Sequence, residues 1–284
     1  MAIVKFVKMH GLGNDYVVLD LFDKANAAAI EKIKDVPAFA KRVCSRYFGV
    51  GADGVLMAMP SRVADGRMRI INADGSEAEM CGNGIRCTAK FILDHNYAKK
   101  ETIAIETLSG VKTIAADKEK NLYTVDMGEP LLLRKDIPMK GEGASQAIGE
   151  PLQLKNAKVN VTAVSMGNPH AVLFVDNADF GIEALGREIE HHASFPKKTN
   201  VEFVQVLGRG EIRLVVWERG VGETLACGTG SCASVVACVL NGKTGRKVKV
   251  HLKGGDLMVE WSENNHVFMT GPATAVFDGT IAVP

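Results

Sequence analysis

Neither sign of charge is in excess in this chain. Its 34 Lys and Arg stand against 33 Asp and Glu, a net charge of +1, so nothing draws it to a nucleic acid or a membrane surface. The N-terminus, Met1-Ala2-Ile3-Val4-Lys5-Phe6, lacks the basic segment, apolar core and cleavage site of a signal peptide. A membrane-spanning run is missing as well. The longest uncharged stretch, Thr224 to Gly242, opens with Thr, Gly and Ser and reads as a loop followed by a buried helix. Six cysteines without a secretory signal point to free thiols in a reducing compartment, the cytoplasm. Their spacings fit no zinc site, so no metal is expected. The glycine turn Gly49-Val50-Gly51-Ala52-Asp53-Gly54 lacks the dinucleotide register and no Lys-Ser/Thr follows it, which argues against a nucleotide loop. No lysine sits in a cofactor-like context, and no cofactor is expected.

What the chain does have is one motif written twice. Arg213-Leu214-Val215-Val216-Trp217 reads as a strand. It runs into Glu218-Arg219-Gly220-Val221-Gly222-Glu223-Thr224-Leu225-Ala226-Cys227-Gly228-Thr229-Gly230, followed by an apolar helix to Leu240 that Asn241-Gly242 stops. Earlier, Arg69-Ile70-Ile71 leads through Asn72 and Glu77 to Cys81-Gly82-Asn83-Gly84 and another apolar helix. Asn72 and Glu218, Glu77 and Glu223, and Cys81 and Cys227 all match at one offset. Two further pairs repeat: Gly13-Asn14-Asp15-Tyr16 with Gly167-Asn168-Pro169-His170, and Thr107-Leu108-Ser109-Gly110 with Leu252-Lys253-Gly254-Gly255. The chain is an internal duplication, and each half places one cysteine at a helix N-terminus. Backbone N–H groups and the helix dipole favour thiolate there.

The 284 residues suit two domains, each large enough for its own core. Residues 1–129 form the first half, completed by a returning strand at 273–284, and residues 130–272 form the second. Segment 128–150, with Pro130, Pro138 and several glycines, reads as the crossing between them. In the first half a helical stretch from Ala25 to Tyr47, interrupted near Pro37, separates the early strands. In the second a helical stretch covers 178–193.

These motifs together resemble the diaminopimelate epimerase family along essentially the whole chain. They are Met9-His10-Gly11-Leu12-Gly13-Asn14-Asp15, Asn72-Ala73-Asp74-Gly75-Ser76, Cys81-Gly82-Asn83-Gly84, Met166-Gly167-Asn168-Pro169-His170, Asn200, Glu218-Arg219-Gly220 and Cys227-Gly228-Thr229-Gly230. The resemblance implies an α/β fold of two pseudo-symmetric domains, each a curled mixed β-sheet wrapped around a central helix, with the active site in the cleft between them. It implies a pyridoxal-independent isomerase, a homodimer, that interconverts LL- and meso-diaminopimelate in lysine and peptidoglycan-precursor synthesis. It also implies that Asn14, Asn72, Asn168, Asn200, Glu218 and Arg219 hold the substrate. The family often has Gln where this chain has Gly54, and Tyr where Phe277 stands at a position tied to dimer packing.

The chemistry of the residues agrees. Inverting a stereocentre by proton transfer needs one group to remove a proton and another to return one from the opposite face. Cys81 and Cys227 supply the two thiols. Backbone N–H groups of Gly82, Asn83, Gly228 and Thr229 suit an α-carboxylate as charge spreads onto it. Arg219 can take the distal carboxylate bidentately and Glu218 an ammonium. His170 and Glu218 are the candidates to tune the cysteine pKa values. Cys44, Cys87, Cys232 and Cys238 fall in helical segments and read as core. His10, His191, His192 and His251 show no partner pattern. Two alternatives stay open: a proline or hydroxyproline racemase, which shares the two-cysteine logic but has no need of Glu218-Arg219, and a thiol redox protein, which has no need of two anion-binding turns.

Overall fold

The computed structural model describes residues 2–283, so residues 1 and 284, at the outer ends of the expected first half, lie outside the described residues. The chain divides into two compact units, Met1–Val125 with Gly271–Pro284, and Asp126–Thr270.

In the first unit, alternating apolar residues fold Ala2–Gly11 back onto Asn14–Asp20 through a turn at Leu12 and Gly13, both at positive φ. Strand Ala2–Gly11 also pairs antiparallel with the C-terminal strand Thr274–Val283. Asn14–Asp20 runs parallel to Gly54–Met59, which pairs antiparallel with Gly66–Asn72. That strand continues in parallel into Thr102–Thr107, itself hairpinned with Gly110–Asp117. The mixed sheet curls around helix Gly82–Asp94, in which Ile85, Cys87, Ala89, Phe91, Ile92 and Leu93 are all buried. The stretch expected as one interrupted helix is two, Lys24–Ile30 and Val36–Cys44. Pro37 stands in the first turn of the second, where its missing N–H costs nothing, and Asp35 caps it by accepting from the Ala38 N–H at 2.9 Å.

The second unit repeats the programme. Lys158–Ser165 pairs antiparallel with Pro169–Phe174, which runs parallel to Asn200–Gly208. Asn200–Gly208 pairs antiparallel with Glu211–Glu218, and that strand runs parallel to Lys247–Leu252. Gly255–Trp261 and Val267–Pro272 follow in antiparallel order. The central helix is Gly228–Leu240, buried on every face. Each fully buried valine in it, such as Val235 or Val236, contributes about 1.5–3 kcal/mol relative to exposure. Both units are thus mixed sheets curled around one buried helix.

Two expectations are corrected here. Segment 128–150, expected as the crossing between the halves, belongs to the second unit: Ile137, Met139 and Ala147 are buried in its core, and Arg134, itself buried, donates to the Lys140 carbonyl and to Glu150. The helix expected over 178–193 is only Glu183–Glu190. Its Gly186 lies flat on Trp217, where a Cβ would stand 2.6 Å from the ring. That close approach lets Glu190 accept from the Trp217 indole N–H at 2.8 Å.

Candidate active site

Cys81 is the N-cap of helix Gly82–Asp94, in extended backbone conformation, and its side chain caps nothing. The sulfur instead lies 3.0 Å from the Tyr16 hydroxyl. Burial, then the neighbouring Cys81 sulfur, pushes the Tyr16 phenol well above its usual range, so Tyr16 keeps its proton and can donate to Sγ. The turn is braced from beneath by Arg86, a fully buried side chain that the sequence did not single out. It donates to the Gly82 carbonyl at 3.0 Å, to Asn83 Oδ1 at 2.9 Å and to the Pro272 carbonyl at 3.1 Å. The Asn83 side chain is therefore turned inward and buried. What the first turn of this helix can present outward is backbone, as it is at any helix start.

Asn72 closes the loop before the cysteine. Its Nδ2 donates to Ser76 Oγ at 3.0 Å and its backbone N–H to the Ser76 carbonyl at 2.8 Å. Asn14, at the start of its strand, has a buried side-chain oxygen with no hydrogen-bond partner, an acceptor left over for a ligand. Its neighbour Asp15 exchanges backbone and side-chain bonds with Asp53, and Lys8 and Arg46 also pair with Asp15. Burial alone would raise the Asp15 carboxyl, but Lys8 and Arg46 bring it below the usual range. This brace fixes Asn14 against the loop that leads to Gly54. A Cβ at Gly54 would lie 3.0 Å from the Ile71 carbonyl oxygen and 3.5 Å from the Tyr16 ring. A side chain there would require the neighbouring Ile71 backbone to give by a few tenths of an ångström.

Cys227 is the N-cap of helix Gly228–Leu240 in the same extended conformation. Here the sulfur does cap: it accepts from the Gly230 N–H at 3.4 Å and lies 3.5 Å from Thr229 Oγ1. It is only 7 % exposed. The sequence-based expectation that a helix start favours thiolate is corrected at this site. Burial, then the charge of Glu218, pushes the Cys227 thiol well above its usual range, against the opposing bonds of Thr229 and Gly230. The thiol form therefore prevails at neutral pH.

Behind Cys227 lies a polar chain. Asn168 Nδ2 donates to Thr229 Oγ1 at 3.3 Å, and Asn168 Oδ1 lies 3.0 Å from His170 Nε2. His170, wholly buried, places Nδ1 2.6 Å from Glu202 Oε1. Glu202 was missed from the sequence. The one signal was a carboxylate inside the apolar strand Asn200-Val201-Glu202-Phe203-Val204, every residue of which is buried.

Asn200 is also committed. Its Nδ2 donates to the Pro169 carbonyl at 3.0 Å and its Oδ1 accepts from the Arg219 N–H at 2.8 Å. It therefore ties the His170 turn to the Arg219 turn. Glu190 holds that second turn from below by accepting the Gly220 N–H at 3.0 Å. The exposed Arg219 guanidinium donates to the Lys197 carbonyl at 3.2 Å, and Glu218 accepts from Thr224 Oγ1 at 2.6 Å. The remaining cysteines are buried in helices. Burial pushes Cys87 and Cys238 up to about 12 and Cys44 to about 11, and Cys232 is wholly buried. None of these four is at a helix start.

Known proteins match this arrangement at two depths. The solved structure of a PhzF-family phenazine biosynthesis protein from Bacillus anthracis superposes with a TM-score of 0.72, covering 100 % of both chains at 16 % identity. A hydroxyproline epimerase from Agrobacterium vitis gives 0.69 at 13 % identity over 99 % of this chain and 93 % of that one. At such identities the likeness is one of fold. Sequence carries further. A diaminopimelate epimerase of Pelotomaculum thermopropionicum is 52 % identical over 279 residues, 96 % of this chain and 97 % of that protein. One of Methanococcus maripaludis is 50 % identical over 285 residues, 99 % of this chain and all of that protein. The family profile described as diaminopimelate epimerase matches residues 6–133 and 162–276, which include both cysteine turns. The chain belongs to the diaminopimelate epimerase family.

Proposed function

We propose that this protein interconverts LL- and meso-2,6-diaminopimelate by proton transfer at one α-carbon between two cysteines. One observation carries the reading: each unit of a duplicated fold ends a strand–turn segment in a cysteine that N-caps the buried central helix. The thiolate of one cysteine takes the α-proton, breaking Cα–H and forming S–H. The thiol of the other gives its proton to the opposite face of Cα and is left as thiolate. The electron pair left between these steps spreads onto the α-carboxylate. Backbone N–H groups of Gly82, Asn83, Gly228 and Thr229 receive that charge at the two helix starts.

Asn14, with its unpartnered oxygen, and Asn72 and Asn168 at the turn edges contact the substrate. Arg219 and Glu218 read the non-reacting head. Asn200, with both ends of its amide engaged, serves by holding the Arg219 turn. His170 and Glu218 tune Cys227. The units act as two half-sites, residues 1–129 with 273–284 and residues 130–272. The chemistry uses no pyridoxal phosphate: the α-carboxylate, held by N–H donors at the helix starts, takes the electron pair that a cofactor would otherwise receive. The protein serves lysine and peptidoglycan-precursor synthesis in the cytoplasm, as a homodimer. The half-exposed Phe277, stacked edge-on against Phe6 at 6.0 Å, belongs to the surface that forms it. Among the described residues no helix is long and apolar enough to cross a membrane.

The test runs each epimer in deuterated water and examines product and remaining substrate at the earliest turnovers. Product should carry deuterium at Cα while unreacted substrate stays protonated, because the returning proton comes from a second, solvent-exchanged thiol. Product that keeps its original hydrogen would sink the two-thiol reading. L-proline run in parallel should be left unchanged; its racemisation would move the reading to the proline class.

A further inference from the structure

Glu202 is a wholly buried carboxyl that the fold itself does not require. Strand register makes this comparison possible. In the first unit Tyr16 stands opposite Gly54 and Val18 opposite Leu56. In the second, His170 stands opposite Asn200 and Val172 opposite Glu202. Leu56 and Glu202 are therefore equivalent positions, and each backs the last glycine of its cysteine turn. A Cβ at Gly84 would lie 3.4 Å from Leu56 Cδ2, and one at Gly230 would lie 2.8 Å from Glu202 Oε1. One half fills the place with an apolar side chain. The other buries a carboxyl there, at a desolvation cost that leucine avoids.

What the carboxyl gains is control of a hydrogen-bond direction. Its Oε1 meets His170 Nδ1 at 2.6 Å, while Oε2 has no partner. If the hydrogen of this contact comes from the carboxylic acid, the imidazole keeps its own at Nε2 and gives it to Asn168 Oδ1. The Asn168 amide then points Nδ2 at Thr229, whose oxygen accepts, so the hydroxyl hydrogen is left for Cys227 Sγ. With a bare Nε2 the amide would turn over, and Thr229 would donate to Asn168 instead of to the sulfur. Burial raises the Glu202 carboxyl, which favours the first arrangement; His170 opposes that rise, and Glu218 and Cys227 are the other titratable groups at this site.

We infer that Glu202 is a positioning residue for Cys227: by fixing the His170 hydrogen at Nε2, it directs a four-residue chain of donors so that Thr229 donates to the sulfur. The role rests on Cys227 being a reacting thiol, as proposed above, but its test needs no substrate. The whole protein is treated with iodoacetamide at neutral pH, and the alkylation of each cysteine is followed by peptide mapping. In Glu202→Gln the new NH₂ donates to Nδ1 and keeps the Nε2 hydrogen, so the Cys227 rate should stay within about threefold of the parent. Glu202→Leu, which copies the other half, should fold and slow Cys227 by about tenfold, the effect of one lost thiolate-stabilising donor on its pKa. Cys81 should be unaffected in both. Nitrogen-15 NMR of the imidazole should show Nε2–H in the parent and in Glu202→Gln, and mixed tautomers in Glu202→Leu. Parental Cys227 reactivity in Glu202→Leu would overturn the inference, and so would a Glu202→Gln variant that behaves like Glu202→Leu. Failure to turn over diaminopimelate would count against the proposed substrate and leave these rates unaffected.

Discussion

The two cysteine turns share a backbone and differ in almost everything that surrounds the sulfur. Cys81 is half-buried and meets one phenol, and the turn beneath it is floored by Leu56 and Ile70 around Gly84. Cys227 is buried, caps its own helix, and rests on an amide, an imidazole and a carboxyl. Duplication thus supplied the geometry twice, and a few register positions then gave each thiol its own electrostatics. The same strand position that holds Leu56 in one half holds Glu202 in the other, and Gly54 answers to Asn200. A reaction that passes a proton from one thiol to the other asks for unequal thiols at any instant, and the asymmetry is built into the resting protein.

The largest effect should come from removing either sulfur. Cys81→Ala and Cys227→Ala are each expected to lower net epimerisation by about 10³-fold or more, since general acid and general base are both indispensable. The comparison sharpens in their stabilities. Cys81 caps nothing, but its replacement leaves the buried Tyr16 hydroxyl without its partner and should cost about 1–3 kcal/mol. Cys227 accepts the Gly230 N–H, so its loss should cost up to about 1 kcal/mol. Denaturant unfolding and chiral product analysis check both. Turnover within tenfold of the parent in either variant would break the equivalence of the halves.

A smaller effect is expected at Tyr16. Tyr16→Phe keeps the ring in its place beside Gly54 and removes only the donor to Cys81. Turnover should fall by about tenfold to a hundredfold, the range for loss of a donor to a developing or resting anion. Alkylation of Cys81 should slow as well, while that of Cys227 should not change. A variant in which both cysteines slow together would show that the halves are electrostatically linked rather than separately tuned.

The duplicated turns and both cysteines were legible in the sequence because glycine and cysteine spacing is local information. The strands followed from alternation, and their curled arrangement from the family resemblance alone. What stayed hidden depends on register or on distant partners. Glu202 and Leu56 become equivalents only once two parallel strand pairs are aligned. Arg86 looks like a helix-surface arginine until the Pro272 carbonyl and the Cys81 turn close over it. The dipole rule for Cys227 was sound locally, and was outweighed by burial and the charge of Glu218. His251 showed no partner pattern because Glu211, 2.6 Å from its Nε2, lies on another strand and Asp256, 2.7 Å from its Nδ1, across a hairpin.

That histidine gives the smallest and most selective test of the two halves. The hairpins at Thr107–Gly110 and Leu252–Gly255 correspond, and the residue pair just outside each turn is Glu106 with Val111 in one and His251 with Asp256 in the other. Only the second pair can titrate as an ion pair. The bond to Glu211 raises the His251 pKa above its ordinary value; burial opposes it, and the bond to Asp256 adds to the rise. A raised folded pKa means that the stabilisation is complete below the unfolded value, about 6.5, and disappears as pH rises through the folded one. His251→Gln should therefore lower the stability of the protein at about pH 5.5 and leave it equal to the parent at about pH 9. The loss should not exceed about 1 kcal/mol, because the pair is partly exposed and screened. Glu106→Gln in the matching hairpin should show no such loss confined to the acid side. Thermal unfolding of both variants at the two pH values decides it: an equal His251→Gln loss at both would mean that the ring serves by packing rather than by charge.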